Sequence, residues 1–281
     1  VNQTPVEQGP FHHFLPGTQS LSIGLAGCNL RCQYCQNWEI SQKGPDETNN
    51  VTLDGKETLS EVRRLDCRLV TFTYTEPMVY LEYIEAVADQ ARSKGCRVAV
   101  CSALYVRKKP LQRIAKKVDA FCGTLKGFNE AFYEKVCGGK LAPVLDALVT
   151  IREEGKWLEV VVLVIPTLND SRTEMRSLCD WVVKNLGKDT PLHFIRFTPS
   201  WKLTDLPATP PGVLEDCRKI ALDAGLHHAY IGNLPGHEGA NTYCPHCKRA
   251  VIRRLGLRVT ENTLKKGKCG GCGHRIVGIW E

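Results

Sequence analysis

Gly27-Cys28-Asn29-Leu30-Arg31-Cys32-Gln33-Tyr34-Cys35 is a C-x3-C-x2-C loop, and its reading decides the rest. Three thiolates this close in sequence can hold three irons of a [4Fe-4S] cube and leave the fourth without a protein ligand. A cluster used only for electron transfer is normally held by four cysteines. An open iron can instead take a small ligand, as the open position of a catalytic zinc does. The alternative is three members of a four-thiolate zinc site. Such sites usually build from C-x2-C pairs, and this spacing differs.

Working outward, the run Ser20–Gly27 reads as a strand that feeds this loop. Further apolar runs predict strands at Leu69–Tyr74, Arg97–Cys101, Ala120–Leu125, Leu158–Ile165 and Leu192–Phe197. Helical stretches fall between them, at about Met78–Lys94, Leu141–Glu154, Ser171–Asn185 and Pro211–Ala224. Gly95 and Gly155 sit where a helix C′ glycine belongs, and Ser171-x-x-Glu174 has the form of a capping box. Alternating strands and helices with near-continuous apolar strands predict a parallel sheet covered by helices. The fold class is therefore α/β, a partial (β/α)6 TIM-like barrel. In such architectures the chemistry sits at the C-terminal ends of the strands, where the cysteine loop stands.

Composition sets the outer limits. The chain has 281 residues, 43% hydrophobic and 24% charged, enough for one large domain and a small appendage. No apolar stretch approaches the ~20 residues that cross a bilayer. Residues Val1 to Pro16 lack the basic start and apolar core of a signal peptide. Fourteen cysteines without an export signal predict a reducing, cytoplasmic setting and metal ligation in place of disulfides. Cys67, Cys96, Cys101, Cys122, Cys137, Cys179 and Cys217 are scattered and read as small buried hydrophobes.

A second metal signature lies downstream. Cys244-Pro245-His246-Cys247 and Cys269-Gly270-Gly271-Cys272 are two C-x2-C knuckles able to wrap one tetrahedral metal, zinc by default and a rubredoxin-type iron otherwise. All four positions being taken, the expected role is structural. Between the knuckles Val251, Leu255, Leu257 and Val259 mix with Arg253, Arg254 and Arg258, as in a small exposed ribbon. From Cys244 to Glu281 nine Lys/Arg stand against Glu261 and Glu281, so this segment carries the whole formal charge of +7. Such charge admits nucleic acid or an acidic partner. Without an aromatic stacking face, a solvated structural knuckle is the preferred reading. The expected domains are an N-terminal extension (1–19), the barrel (20–232) and the C-terminal four-cysteine ribbon (233–281).

Both cysteine sets, with the aromatic Tyr34 before the third cysteine, bring a family into view. Further marks are His13-Phe14-Leu15-Pro16-Gly17, Cys35-Gln36-Asn37, Ile40-Ser41-Gln42 and Tyr74-Thr75-Glu76-Pro77. Leu125-Lys126-Gly127-Phe128, Val164-Ile165-Pro166, Asn169-Asp170, Arg196-Phe197-x-Pro199 and Ile231-Gly232-Asn233-x-Pro235-Gly236-His237 complete them. Across nearly its whole length the chain resembles the radical S-adenosylmethionine (SAM) enzyme of the AmmeMemoRadiSam system. That enzyme is related to the glycyl-radical-enzyme, or pyruvate formate-lyase, activating enzymes.

The resemblance implies a [4Fe-4S] cluster on Cys28, Cys32 and Cys35, with SAM on the open iron. Reductive cleavage to a 5′-deoxyadenosyl radical would then abstract hydrogen from a substrate that the sequence does not identify. A glycyl-radical activase is the second reading, and a non-catalytic zinc-ribbon binding module is the reading of another class. Tyr34, Thr75, Glu76, Ser102, Lys126 and Arg196 are the residues implied for SAM, Glu76 by pairing with its ammonium group. No catalytic side chain is singled out. The implied partners are a low-potential donor, flavodoxin or ferredoxin, and AMMECR-type and Memo-type proteins. Two departures stand out: Ser102-Ala103-Leu104 replaces a Ser/Thr-Asn-Gly strand end, and Thr124-Leu125-Lys126 replaces Asp-Leu-Lys. Thr124 lacks the carboxylate that helps related activases hold a monovalent cation. Many relatives also carry an upstream cysteine-rich segment, so the expectation is a short form or a truncated N-terminus.

Overall fold

A computed structural model describes residues Val1–Glu281, and the apolar runs read above form its frame. Asn2–Pro5 makes β1, a 3-10 turn follows at Val6–Gln8, and Gln19–Ile23 makes β2. Beyond the cysteine loop come a short α1 (Trp38–Ser41) and the amphipathic α2 (Gly55–Arg64). β3 (Leu69–Phe72) leads to α3 (Leu81–Arg92), and β4 (Arg97–Ser102) to α4 (Lys108–Ala115). β5 (Ala120–Thr124) leads to α5 (Glu130–Phe132), which runs into a π turn at Tyr133–Cys137 and then α6 (Leu141–Glu153). β6 (Trp157–Val164), α7 (Arg172–Asn185), β7 (Leu192–Arg196), α8 (Pro211–Asp223) and β8 (Ala229–Gly232) finish the main sheet. β9 (Thr242–Tyr243), β10 (Ala250–Leu255) and β11 (Arg258–Asn262) form a separate antiparallel sheet.

The main sheet has eight strands in the order β1 to β8. β2 through β8 run parallel and β1 pairs antiparallel with β2, so the barrel stays open between β1 and β8. Two strands thus join the six expected. β1 is a four-residue edge with no buried residue and no alternation, and β8 has four residues, too few for a periodic signal.

Local chemistry explains most boundaries. Gly95 (φ 75°) and Gly155 (φ 67°) end α3 and α6 in the left-handed region, as expected. The helix predicted at Met78–Lys94 is broken at its start. Glu76 caps a 3-10 turn over Pro77–Val79, and α3 begins only at Leu81. Ser171 does cap α7, its Oγ accepting from Glu174 N at 3.2 Å. The reciprocal half of the box is missing. Glu174 instead accepts from Phe128 N and Asn129 Nδ2, both at 2.7 Å, and so ties α7 to the exit of β5. A complete box forms at α2, where Asp54 accepts from Glu57 N and Glu57 accepts from Asp54 N.

Strand parity sorts the side chains. Phe72, Val100, Phe121, Val160, Val162 and Phe194 pack outward against the helices. Leu69, Ala99, Ala120, Cys122 and Val161 face inward and pack on Val6, Phe11, Phe14 and Leu15. Residues 1–19 therefore contribute a strand to the sheet and an apolar plug to the barrel interior. Above this plug the inward face turns polar, and there the site begins.

Candidate active site and metal centres

β2 ends at Ile23, and the loop that follows is held on every side by backbone bonds. Gly27 N donates to Ile40 O at 2.9 Å. Arg31 N donates to Cys137 O at 2.8 Å, and Gln33 N to Val136 O at 2.9 Å, so the π turn offers its carbonyls to the loop. Asn29 Nδ2 donates to Tyr105 O at 2.7 Å, and Asn37 Nδ2 to Tyr74 O at 2.8 Å. Leu30 is buried and fills the space over Gly139, where a Cβ would lie 2.6 Å from its Cδ2.

The loop presents Cys28, Cys32 and Cys35 to one cavity of about 450 Å³ at the C-terminal ends of the strands. Thr73, Cys101, Thr124, Leu163 and Ile195, the last inward-facing residues of five adjacent strands, line it from below, with Gln8 from the N-terminal turn. Tyr34, Thr75, Glu76, Ser102 and Lys126 line it as well. The thiols differ. Burial pushes Cys28 up to about 11, while a hydrogen bond from Cys137 and the charge of Lys126 bring Cys32 down to about 6. Leu30 N donates to Cys28 Sγ at 3.4 Å, and Ser41 Oγ lies 3.2 Å from Cys35 Sγ. Coordinated iron holds thiols deprotonated. Three thiols on one cavity, with donors already aimed at their sulfurs, fit a cluster of three protein ligands.

Glu76 is buried and largely spent on the protein. Its carboxylate accepts from Met78 N at 3.0 Å, Ala103 N at 2.8 Å and the Ser102 hydroxyl at 2.5 Å. Burial raises its pKa, and these donors oppose the rise. It therefore clamps the end of β3 to the end of β4 and keeps little acceptor capacity for a ligand. Ser102 Oγ also accepts from Leu104 N. Thr75 Oγ1 donates to Leu25 O at 2.7 Å and positions the approach to the cysteines. Tyr74 between them has φ 69°, a strained backbone at the cavity wall. Desolvation pulls Lys126 down, but the sulfurs of Cys32, Cys137 and Cys28 outweigh it and hold it charged. Its ammonium lies 6.0 Å from the Tyr34 ring centroid. That ring is buried against Phe132, with its hydroxyl 3.5 Å from Cys137 Sγ.

Arg196 is not brought to this cavity. His193 and Ile195 take the inward parity of β7, so Arg196 faces the helices and donates from Nε to Thr209 O at 3.0 Å. His193 lies deeper, bonded to Glu159 at 2.8 Å. Gln8, Thr73, Cys101, Leu163, Ile195 and Asn233 were not foreseen as cavity residues. For the strand residues, two-residue parity counted back from each strand end was the available signal. Nothing local marked Gln8.

The second centre is complete. The sulfurs of Cys244, Cys247, Cys269 and Cys272 all lie within 4.8 Å of one another. Cys244 and Cys272 are 3.7 Å apart, as are Cys247 and Cys269. A tetrahedral zinc at about 2.3 Å from each sulfur needs an edge of about 3.8 Å. Desolvation raises Cys269, yet the N–H groups of Gly271 and Cys272 bring it down to about 7. His246 and His274 stack on each other beside the site. The ribbon between the knuckles departs from simple alternation. The register shifts between Arg253 and Arg254, which leaves Leu255 exposed and buries Arg254. Arg254 donates to His12 O, Ala240 O and Thr242 Oγ1, and its Nε lies 3.6 Å from Glu7 Oε1. The ribbon is thereby keyed into the N-terminal plug.

The fold, the three-thiol loop and the polar cavity above the sheet define an α/β radical SAM architecture. Its family profile, the Radical SAM superfamily, matches residues 23–179, and the chain belongs to that superfamily. It is 40% identical over 97% of its length to an uncharacterised protein of Methanocaldococcus jannaschii, covering 81% of that protein. It is similar to the pyruvate formate-lyase-activating enzyme of Clostridium pasteurianum at 24% identity, over 61% of this chain and 71% of that one. Among solved structures, Streptococcus suis SuiB bound to S-adenosylmethionine superposes with a TM-score of 0.57 at 12% identity, over 81% of this chain and 53% of that one. A domain of pyruvate-formate lyase-activating enzyme from Bacteroides vulgatus gives 0.53 at 17% identity, over 58% of this chain and 98% of that domain.

Proposed function

We propose that this protein is a radical SAM enzyme whose [4Fe-4S] cluster is held by Cys28, Cys32 and Cys35 and binds SAM at the fourth iron. When bound and reduced, the cluster supplies one electron that cleaves SAM to methionine and a 5′-deoxyadenosyl radical, which takes a hydrogen atom from an unidentified substrate. The observation that carries this reading is three thiols and one half-buried, charged lysine converging on a single polar cavity at the strand ends. Lys126 meets the SAM carboxylate. Thr75, Ser102 and the backbone at Tyr34 shape the wall, and Glu76 holds that wall and offers its remaining lone pair to the SAM ammonium. The apolar plug closes the barrel beneath the cavity. Arg196 is left out of the SAM set.

The relatives named as activating enzymes favour a glycyl-radical activase as the second reading. A non-catalytic zinc-ribbon module has less support, because all three loop cysteines face the cavity. AMMECR-type and Memo-type partners follow from the sequence resemblance alone. The C-terminal thiolates hold zinc in this reading, with rubredoxin-type iron the alternative. Anaerobic reconstitution tests the proposal. About four irons per barrel and SAM-derived 5′-deoxyadenosine are expected, both lost in Cys28→Ala, Cys32→Ala or Cys35→Ala. A triple alanine variant that kept its cluster spectrum would end it. A persistent glycyl signal by electron paramagnetic resonance with a partner polypeptide would select the activase.

A further inference from the structure

Residues 265–268 form a tight turn between the ribbon and the second cysteine knuckle. Lys265 N donates to Lys268 O at 2.9 Å and Lys268 N to Lys265 O at 3.1 Å, around Lys266 (φ 50°) and Gly267 (φ 71°). A two-residue turn with positive φ at both centres favours Asn-Gly or Asp-Gly, and a lysine at the first centre strains the backbone. Lys268 also bridges Arg275 on the neighbouring segment, so two cations stand directly opposite each other. Like charges in that position destabilise the pairing. Lys266, Lys268 and Arg275 are all exposed and line one concavity of about 290 Å³, walled by the Trp280 indole and lined by no carboxylate.

These charges do not serve the thiolates. Cys269 and Ile276 belong to the buried core of the knuckles, so pleat parity turns their neighbours Lys268 and Arg275 to the opposite face. Cys269 Sγ accepts from Gly271 N at 3.4 Å instead. Acidic side chains do not answer them either. Of the nine Lys/Arg between Cys244 and Glu281, Arg253 pairs with Glu261 and Arg254 with Glu7, and the other seven make no ion pair. A ribbon that is only solvated leaves both the strained lysine and the opposed cations without a reason.

The aromatic rings nearby narrow the ligand. Trp280 is wedged over Gly267 and Gly278, where a Cβ would lie 2.9 Å from its Cδ1 and 2.4 Å from its Cζ2. His246 and His274 stack on each other. Single strands bind largely by stacking their bases on free rings. Rows of phosphates on a duplex need only cations.

We infer that the concavity of Lys266, Lys268 and Arg275 is a phosphate-binding site, and that the phosphate belongs to the backbone of a double-stranded or hairpin nucleic acid. Arg275 supplies a planar fork for phosphate oxygens and the lysines two point charges. The site reads no base edges. It goes beyond the radical SAM reading and does not depend on the cluster.

The test is fluorescence anisotropy on the whole, zinc-replete chain, with a labelled RNA hairpin, a DNA duplex and single-stranded oligouridine as probes. Both duplexes should bind saturably and the single strand more weakly, with affinity falling steeply between about 50 and 200 mM salt. Lys268→Gln and Arg275→Gln should each weaken duplex binding about threefold at low salt and lower the slope of log K against log salt by about one. Lys266→Asn separates binding from folding. It should weaken binding about threefold while the protein melts at the same temperature or higher, because asparagine suits the turn. Lys184→Gln, exposed on α7, should bind as the unaltered protein does. Duplex affinity unchanged by the three ribbon substitutions, or no duplex binding at low salt, would overturn the site. Displacement of the duplex by ATP or by polyglutamate at equal charge concentration would overturn the nucleic-acid backbone as its ligand.

Discussion

The two cysteine centres solve opposite problems. The loop at Cys28–Cys35 is held by its scaffold: backbone bonds to Ile40, Val136 and Cys137, and side-chain bonds to Tyr74 and Tyr105, fix it. The C-terminal knuckles are held by short-range bonds, such as Cys244 N to Arg249 O and Cys269 N to His274 O, around a small core. That core is Cys244, Val251, Ile252, Cys269 and Ile276, in which two of the five residues are candidate metal ligands. A loop held by its scaffold can leave one iron open, whereas a segment held by its metal must close every position.

That contrast breaks most readily on stability. Cys269→Ala should lose the C-terminal metal and lower the melting temperature or solubility strongly, because the ligands there supply folding energy. Cys28→Ala should abolish the cluster yet melt within a few degrees of the unaltered apo-protein. Equal losses, measured by calorimetry beside metal analysis, would erase the distinction. Zinc retained after air has destroyed the cluster is the expected metal result. A single iron with rubredoxin-type bands, and no zinc from zinc-replete growth, would make the ribbon an electron relay.

Arg254 sharpens the comparison, since it is how the ribbon holds the barrel. Arg254→Ala leaves the Glu7 carboxylate buried, with Oε2 already unpartnered, and should cost about 3–5 kcal/mol in denaturant unfolding. A loss below about 1 kcal/mol would mean that the ribbon is only loosely attached.

The same junction sets the acid limit. Burial lowers His13 to about 3, with the Val277 carbonyl opposing and Arg254 adding to the fall, and burial likewise holds His12 and His228 below the usual range. An unfolded histidine titrates near 6.5, so the unfolded chain takes up protons first. Stability is therefore full above about pH 6.5 and falls as pH drops toward 3, by up to about 1.4 kcal/mol per pH unit for each histidine. A flat unfolding midpoint between pH 7 and 5 would contradict this.

Smaller effects probe the cavity wall. Glu76→Gln puts an amide donor against the donors of Ser102, Ala103 and Met78. It should weaken both SAM binding and stability by roughly 1–3 kcal/mol with the cluster intact. Loss of SAM affinity without loss of stability would restore Glu76 to a purely ligand-binding role. Arg196→Gln should be nearly silent in SAM titrations, because its guanidinium serves Thr209 on the other side of the sheet.

The sequence by itself determined which two sets of cysteines converge, the parallel sheet and the place of the loop after its strand. These depend on spacing along the chain and on the polarity of runs such as Leu158–Ile165, and no partner is needed to read them. Tertiary structure decided the rest. Arg196 turned away because pleat parity, once Ile195 faced in, left it no choice. Arg254, expected in an exposed ribbon, went inside because the register of β10 shifts between Arg253 and Arg254. Val6, Phe11 and Phe14 entered the barrel, and Gln8 reached the cavity, because the open sheet needed filling. Tyr105 and Cys137, which accept from Asn29 and Arg31, lie up to about a hundred residues away in sequence and meet the loop only when the π turn and the end of β4 close on it. Ligand spacing is local and survives in a string of letters; the choice of face and neighbour is non-local and exists only once the chain has packed.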